Sequence, residues 1–208
     1  MFREILLSPK EFFDELVNKP ESLKYPALIV LVTGIITGIS AALLAGASSD
    51  ILPPEASFMS GVLPFIGFFV GLIGSFVMWV IWAAVMHIIS IPLKGKGSFS
   101  RTLEITGYGI VPQIFGTVIA TVLTYAHVSS LSLSPVSTSA EVEAATQLMS
   151  TGPLMTASAV VSVIFLLWSA NVWIFGFIKC RRMEFKGAAI AVGIPILVDL
   201  VFVLTSVV

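Results

Sequence analysis

Five long stretches almost free of charge decide what this chain can become. They run at about residues 27–47, 62–93, 107–126, 153–178 and 187–208. Each reaches the ~20 residues that a bilayer core requires. Lipid offers no partner to a bare backbone group, so a spanning segment has to be a helix or part of a closed barrel. Only 11% of the 208 residues are charged and 57% are hydrophobic, whereas a soluble domain carries roughly 25% charged residues. The expectation is an all-α membrane protein, one domain over residues 1–208, with five transmembrane helices. At 1.5 Å per residue the second stretch outruns a ~30 Å core, so it must tilt or project.

Charge sidedness agrees with that span count. All eleven Lys and Arg fall in three segments. Arg3, Lys10, Lys19 and Lys24 precede the first span. Lys94, Lys96 and Arg101 lie between the second and third, and Lys179, Arg181, Arg182 and Lys186 between the fourth and fifth. Five spans put these three segments on one side, and the opposite loops hold Asp50, Glu55, Glu141 and Glu143 with no basic residue. By the positive-inside rule the basic side is cytoplasmic. The N-terminus is therefore expected inside and the C-terminus outside, in a multi-pass protein of the cytoplasmic membrane. The first 26 residues hold five acidic groups, which is not the pattern of a cleavable leader.

Residues 1–25 read as a short amphipathic helix lying on the membrane or on the bundle. Ser8, Pro9 and Glu11 have the spacing of a capping box with proline at the first helical position, and Leu7 and Phe12 that of a hydrophobic staple. Gly34 and Gly38 form a G-x-x-x-G pair, which suits close packing inside the bundle or a homo-oligomer contact. In the third span Gly109, Gln113, Gly116, Ala120 and Thr124 make one small, polar face that should turn inward. Thr138 and Glu141 have the spacing to start a surface helix.

Polar groups at membrane depth suggest function by default. His87, Gln113, Asn171 and Asp199 fall on four different spans, so they are expected to converge inside the bundle. Two readings stay open: a hydrogen-bonded cluster that fixes helix register, or a path for protons or ions. No enzyme motif is present: there is no H-E-x-x-H, G-x-S-x-G or P-loop pattern. No metal or cofactor site is expected, and with one cysteine, Cys180, neither is an intrachain disulfide. The basic residues are divided among short juxtamembrane loops, which argues against nucleic-acid binding. Candidate docking residues on the basic side are Phe12 and Phe13, Lys96 and Arg101, and Arg181 and Arg182. They would face a protein partner or anionic lipid headgroups.

The central hairpin resembles the Yip family, membrane proteins named for binding Ypt/Rab small GTPases. The matching residues are Ser8-Pro9-Lys10-Glu11-Phe12-Phe13, then Trp82 with His87, then Gly97-Ser98-Phe99-Ser100-Arg101-Thr102-Leu103. Gly107-Tyr108 follow, with Pro112 four residues beyond Tyr108. The resemblance implies a five-helix membrane bundle with a cytoplasmic N-terminus. Eukaryotic members have a long N-terminal region and an Asp-Leu-Tyr-Gly-Pro motif associated with GTPase binding. This chain has about 25 residues there, and the nearest stretch to the motif is Gly61-Val62-Leu63-Pro64-Phe65. GTPase binding is therefore not carried over, and the chain looks like the compact prokaryotic members. The expected function is a non-enzymatic scaffold or adaptor in membrane organisation or trafficking-like processes. The alternative is a small channel or proton-coupled transporter using Asp199 and His87.

Overall fold

The computed structural model describes residues 1–52 and 54–207, without the side chains of residues 50, 54, 57 and 204–207. Asp50 as a side chain and Val208 as the end of the fifth span lie outside that description. The helices are α1 (Phe2–Leu7), α2 (Pro9–Leu16), α3 (Lys24–Ser48), α4 (Leu63–Ser90), α5 (Phe99–Gly109), α6 (Val111–Ser129), α7 (Ser139–Ser150), α8 (Pro153–Cys180) and α9 (Phe185–Val207). Two 3-10 segments, Ser49–Ile51 and Pro54–Gly61, join α3 to α4. No strand occurs among the described residues. Five helices, α3, α4, α6, α8 and α9, are long and apolar enough to cross a membrane. Their outer faces present Leu28, Ile35, Phe69, Val70, Ile73 and Leu197, apolar side chains suited to a lipid surround.

These five helices close into a ring: α3 packs on α4, α4 on α9, α9 on α8, α8 on α6, and α6 back on α3. The α3–α4 seam is made by glycines. A Cβ on Gly38 would stand 2.7 Å from the Phe68 carbonyl, and one on Gly71 would stand 2.8 Å from Gly38 Cα. Gly34 faces Leu72 and Ser75. The G-x-x-x-G pair is thus used for close packing within the chain. The small face of the third span does turn inward. Gly116 lies against Phe165, and Ser158 Oγ reaches Thr124 Oγ1 and the Ala120 carbonyl, each at 3.4 Å.

The first spanning helix starts earlier than expected, at Lys24, and two others stop or start inside their expected spans. The second span ends at Ser90, not at residue 93, because Pro92 has no N–H to continue the ladder. Gly95 instead donates to the Ser90 carbonyl at 2.9 Å, and Lys94 turns the chain with φ 64°. The third span begins at Val111, not at residue 107. Pro112 likewise removes a donor, and the chain passes Ile110 through tighter bonds, Ile110 N–H to Gly107 and Gln113 N–H to Ile110. Residues 99–109 become a separate helix. α5 is buried from Thr102 to Gly109 apart from Leu103 and lies across the basic end of the ring against α3, α4 and α8.

The amphipathic segment is two helices docked on the bundle. Ile5, Phe13 and Leu16 are buried, and the Trp168 indole donates to the Leu6 carbonyl at 3.2 Å. The expected capping box does not form: Ser8 makes no side-chain cap bond. Ser8 also closes α1, its N–H bonded to Glu4, and its backbone (φ −140°, ψ 55°) does not aim the hydroxyl along α2. Leu7 is exposed. At the other end of the ring the Thr138–Glu141 capping box is complete. The amides of Ser137 and Thr138 hold the Glu141 carboxyl below its usual range, and Val136 N–H joins the two outer loops through the Ile51 carbonyl.

The tightest seam lies between α5 and α8, where the Trp173 indole covers Gly109 so closely that a Cβ there has no room. Gly109→Ala should lower stability by about 1–3 kcal/mol, the usual cost of overpacking. Gly74→Ala, which meets nothing within 4 Å, should be neutral. Thermal unfolding of the two variants in detergent, followed by size-exclusion chromatography, checks the contrast.

Candidate functional site: a polar plug under an intramembrane cavity

Two arginines expected to face solvent are instead the framework of the basic end. Arg181 follows the last residue of α8 and is 1% exposed. Its Nη1 donates to Thr102 Oγ1 at 2.9 Å and His87 Nδ1 at 3.0 Å, and also approaches the Gly97 and Ser98 carbonyls at 3.4 Å. Because Nδ1 of His87 accepts from Arg181, its ring proton belongs on Nε2. Thr102 Oγ1 sits 2.8 Å from the same nitrogen, and Phe99 meets the imidazole edge-on. No carboxylate faces this cation among the described residues. What offsets its burial is the set of oxygens around it, the Phe177 ring 5.9 Å away and the negative end of the 28-residue helix it terminates. Burial lowers its pKa. Its carbonyl accepts from Lys96 N–H at 2.8 Å, so the two basic loops are joined through both backbone and side chain.

Arg101, 8% exposed, does the same for the N-terminal arm. Nη1 bonds Glu104 Oε2 at 2.6 Å and the Leu16 carbonyl at 3.3 Å, while Nη2 bonds the Lys19 carbonyl at 2.7 Å. Glu104 also accepts from Ser22 N–H, and Ser98 Oγ joins Glu21 to the first turn of α5. Burial raises the Glu104 carboxyl above its ordinary range despite the arginine beside it. Phe12 packs edge-on against Tyr108 at 4.9 Å. Phe13 is fully buried, its ring over Gly176. Both docking phenylalanines are thus used inside the chain. Asp14 pairs with Lys179 at 2.6 Å, a half-exposed bridge of the kind worth about 0–1 kcal/mol. Of the docking candidates, Lys96 and Arg182 remain exposed.

The family-motif residues shape the same plug. A Cβ on Gly107 would come within 2.6 Å of Pro26, so glycine lets α5 touch the start of α3. Burial pushes the Tyr108 phenol up to about 12. Pro112 is buried in the first turn of α6. The Trp79 and Trp173 indoles donate to the Leu103 and Thr106 carbonyls, each at 3.0 Å, and so pin α5 from above.

Over the plug lies a cavity of about 330 Å³, lined by residues of α3, α4, α5, α6, α8 and α9. Asp199 and Gln113 meet there, beside Thr33, Thr37 and Thr117, under Trp82 and Trp173, whose rings stack at 5.7 Å. The Asp199 carboxyl makes no hydrogen bond or ion pair with the described residues. The expected four-residue cluster is therefore divided. Gln113 and Asp199 share the cavity, and His87 belongs to the arginine plug below it. Asn171 is exposed, because α2, α6 and α9 leave its side of α8 uncovered. Among the described residues no group of three His, Cys, Asp or Glu is placed to hold a metal. Thr102 and Glu104 were not singled out from the sequence. The i, i+3 spacing of Arg101 and Glu104 was the available signal, and it is ambiguous until α5 is known to be buried.

Removing one partner of a buried ion pair typically costs about 3–5 kcal/mol, because the other is left uncompensated. Arg101→Gln should destabilise accordingly, and adding Glu104→Gln should restore much of the loss. The sign with pH follows from the raised carboxyl. The folded state holds the Glu104 proton more tightly than the unfolded state, so acidification through that range should stabilise Arg101→Gln and alkalinity should not. Unfolding temperatures of wild type, single and double variants between pH 5 and 8 test this.

A five-helix ring with apolar outer faces, polar loops at both ends and a plugged basic side defines a multi-pass integral membrane protein. The Yip1 domain model matches residues 3–207, and the chain belongs to that family. It is 40% identical over 122 residues to an uncharacterised protein of Methanocaldococcus jannaschii, covering 59% of this chain and 86% of that relative. No solved structure matches.

Proposed function

We propose that this chain is a non-enzymatic membrane scaffold, oriented with its basic end in the cytoplasm. The observation that supports this is the locking of the whole basic end. Arg181 and Arg101 fix both loops and the N-terminal arm to α5, so the chain presents one preformed surface outside the membrane. That surface consists of the outer side of α2, with exposed Lys10, Glu11 and Glu15, and the rim around exposed Lys96 and Arg182. A preformed surface binds without the entropy cost of ordering loops.

For orientation, cysteines introduced at residues 96 and 182 should label from the cytoplasm and one at 141 from outside; labelling of 96 and 141 from the same side would end the assignment. For scaffolding, a photocrosslinker at residues 11, 15 and 96 in living cells should give the same protein adduct from at least two positions, absent with the probe at the lipid-facing residue 70. No adduct above that control would remove the reading.

The cavity supports a second reading, passage of a small solute or proton with Asp199 as its one carboxylate. On that reading Asp199→Asn abolishes flux into proteoliposomes while the protein stays folded. A flux that survives Asn, yet is absent without protein, removes Asp199 from the path. His87 does not line the cavity, so His87→Gln should leave any flux intact.

A further inference from the structure

The turn that follows α4 and the turn between α8 and α9 meet side by side, stitched by the Lys96–Arg181 backbone bond. Between them is a groove of about 470 Å³ lined by Lys94, Lys96, Arg182 and Lys186, with Leu93 and Ile190 on its apolar side. Glu184 is the one acidic side chain in the lining, so the groove carries a formal charge of four positive against one negative. None of the four cations is paired with a carboxylate among the described residues. Nearby Arg101 and Lys179 are already paired, and Arg181 is buried, so the free positive charge of these two loops is gathered here.

The backbone places the cations. Lys94 (φ 64°) and Arg182 (φ 53°) are the two non-glycine residues with positive φ among the described residues. Each follows the C-terminus of a spanning helix, Lys94 after α4 and Arg182 after α8, where a left-handed residue ends the helix. Gly95 N–H to Ser90 and Lys94 N–H to Ile91 complete that cap on α4. Both residues are basic, one is in each turn, and both line the same groove.

Position narrows the occupant. Ile91 and Phe185, 58% and 68% exposed, flank the groove where α4 ends and α9 begins, so it opens at the level where the spans leave lipid. Cations at the rim and apolar side chains below match a phosphate with acyl chains attached. The Arg182 fork suits a phosphate's oxygens, and lysines add point charges. We propose that this groove binds the headgroup of an anionic glycerophospholipid, with Lys94, Lys96, Arg182 and Lys186 on the phosphate and Leu93 and Ile190 against the glycerol and upper acyl chain. The proposal goes beyond the scaffold reading; the two share the rim at Lys96 and Arg182, and crosslinks from residues 11 and 15 of α2, outside the groove, keep their failures distinguishable.

The test is native mass spectrometry of the full chain released from nanodiscs of phosphatidylglycerol and phosphatidylcholine mixed equally. Wild type should retain phosphatidylglycerol under activation that strips phosphatidylcholine. The variant Lys94→Gly with Arg182→Gly removes two charges and puts glycine where φ is positive, so its unfolding temperature should not fall. Its apparent affinity for phosphatidylglycerol should drop at least ten-fold, while Arg3→Ala with Lys24→Ala, the same charge change at exposed positions outside the groove, should leave that affinity unchanged. Equal retention of both lipids by wild type, or equal phosphatidylglycerol retention by wild type and the glycine variant, overturns the proposal. Two competitors separate the other sources of anionic chemistry. Displacement of the lipid by millimolar glycerol phosphate, or by an oligoglutamate peptide, would reassign the groove to a soluble anion or an acidic protein. Persistence of the lipid against both supports the lipid site.

Discussion

A guanidinium buried at the end of a membrane helix, with no carboxylate beside it among the described residues, is the constraint on which the rest depends. Arg181 is held by a threonine of α5, a histidine of α4 and two loop carbonyls. Each acceptor comes from a segment that would otherwise be free to move relative to α8. Desolvating a cation is costly enough that all of these oxygens must be in place together. That requirement couples the exit of α4, the start of α5 and the exit of α8 into one unit. The arginine–glutamate pair one turn further along α5 extends the unit to the N-terminal arm.

The ring above is held by a different kind of force. Its helices have no hydrophobic drive to associate in lipid, so contact area decides. Glycines at 34, 38 and 71 bring α3 and α4 together, and Gly116 does the same for α6 and α8. The indoles of Trp79 and Trp173 connect the two levels: their rings pack between spans while their N–H groups hold carbonyls of α5. Apolar packing and polar fixation therefore meet at α5.

The membrane fold was largely legible because length and hydropathy report directly on a bilayer. Five apolar stretches and a one-sided set of basic residues define five spans without any knowledge of contacts. What could not be read was which charges are buried. Arg101 and Arg181 look in sequence like Lys96 and Arg182, members of short basic loops, and topology alone explains all four. Their separation depends on α5 folding back under the ring. The sequence around residue 107 hid this, because the chain of apolar residues runs smoothly from Ile105 through Ile110 into α6. Polarity within a span also misled: Gln113 and Asp199 share the cavity, but azimuth sends Asn171 outward, and His87 lies a level lower, inside the arginine plug.

The docking of the N-terminal arm has a consequence for biogenesis. Phe13 lies over Gly176, Asp14 pairs with Lys179, and Leu6 meets Trp168. These partners all belong to the fourth span, which leaves the ribosome long after residues 1–20. The arm can meet Tyr108 and Arg101 of α5 earlier, but its contacts with α8 wait until that helix is inserted, and the arginine that closes the plug arrives later still. During that interval the exposed apolar faces of α1 and α2 remain available to the membrane surface or to a chaperone. The arm thus reaches its full set of contacts only with α8, and closure of the basic end marks the moment when four of the five spans are in place.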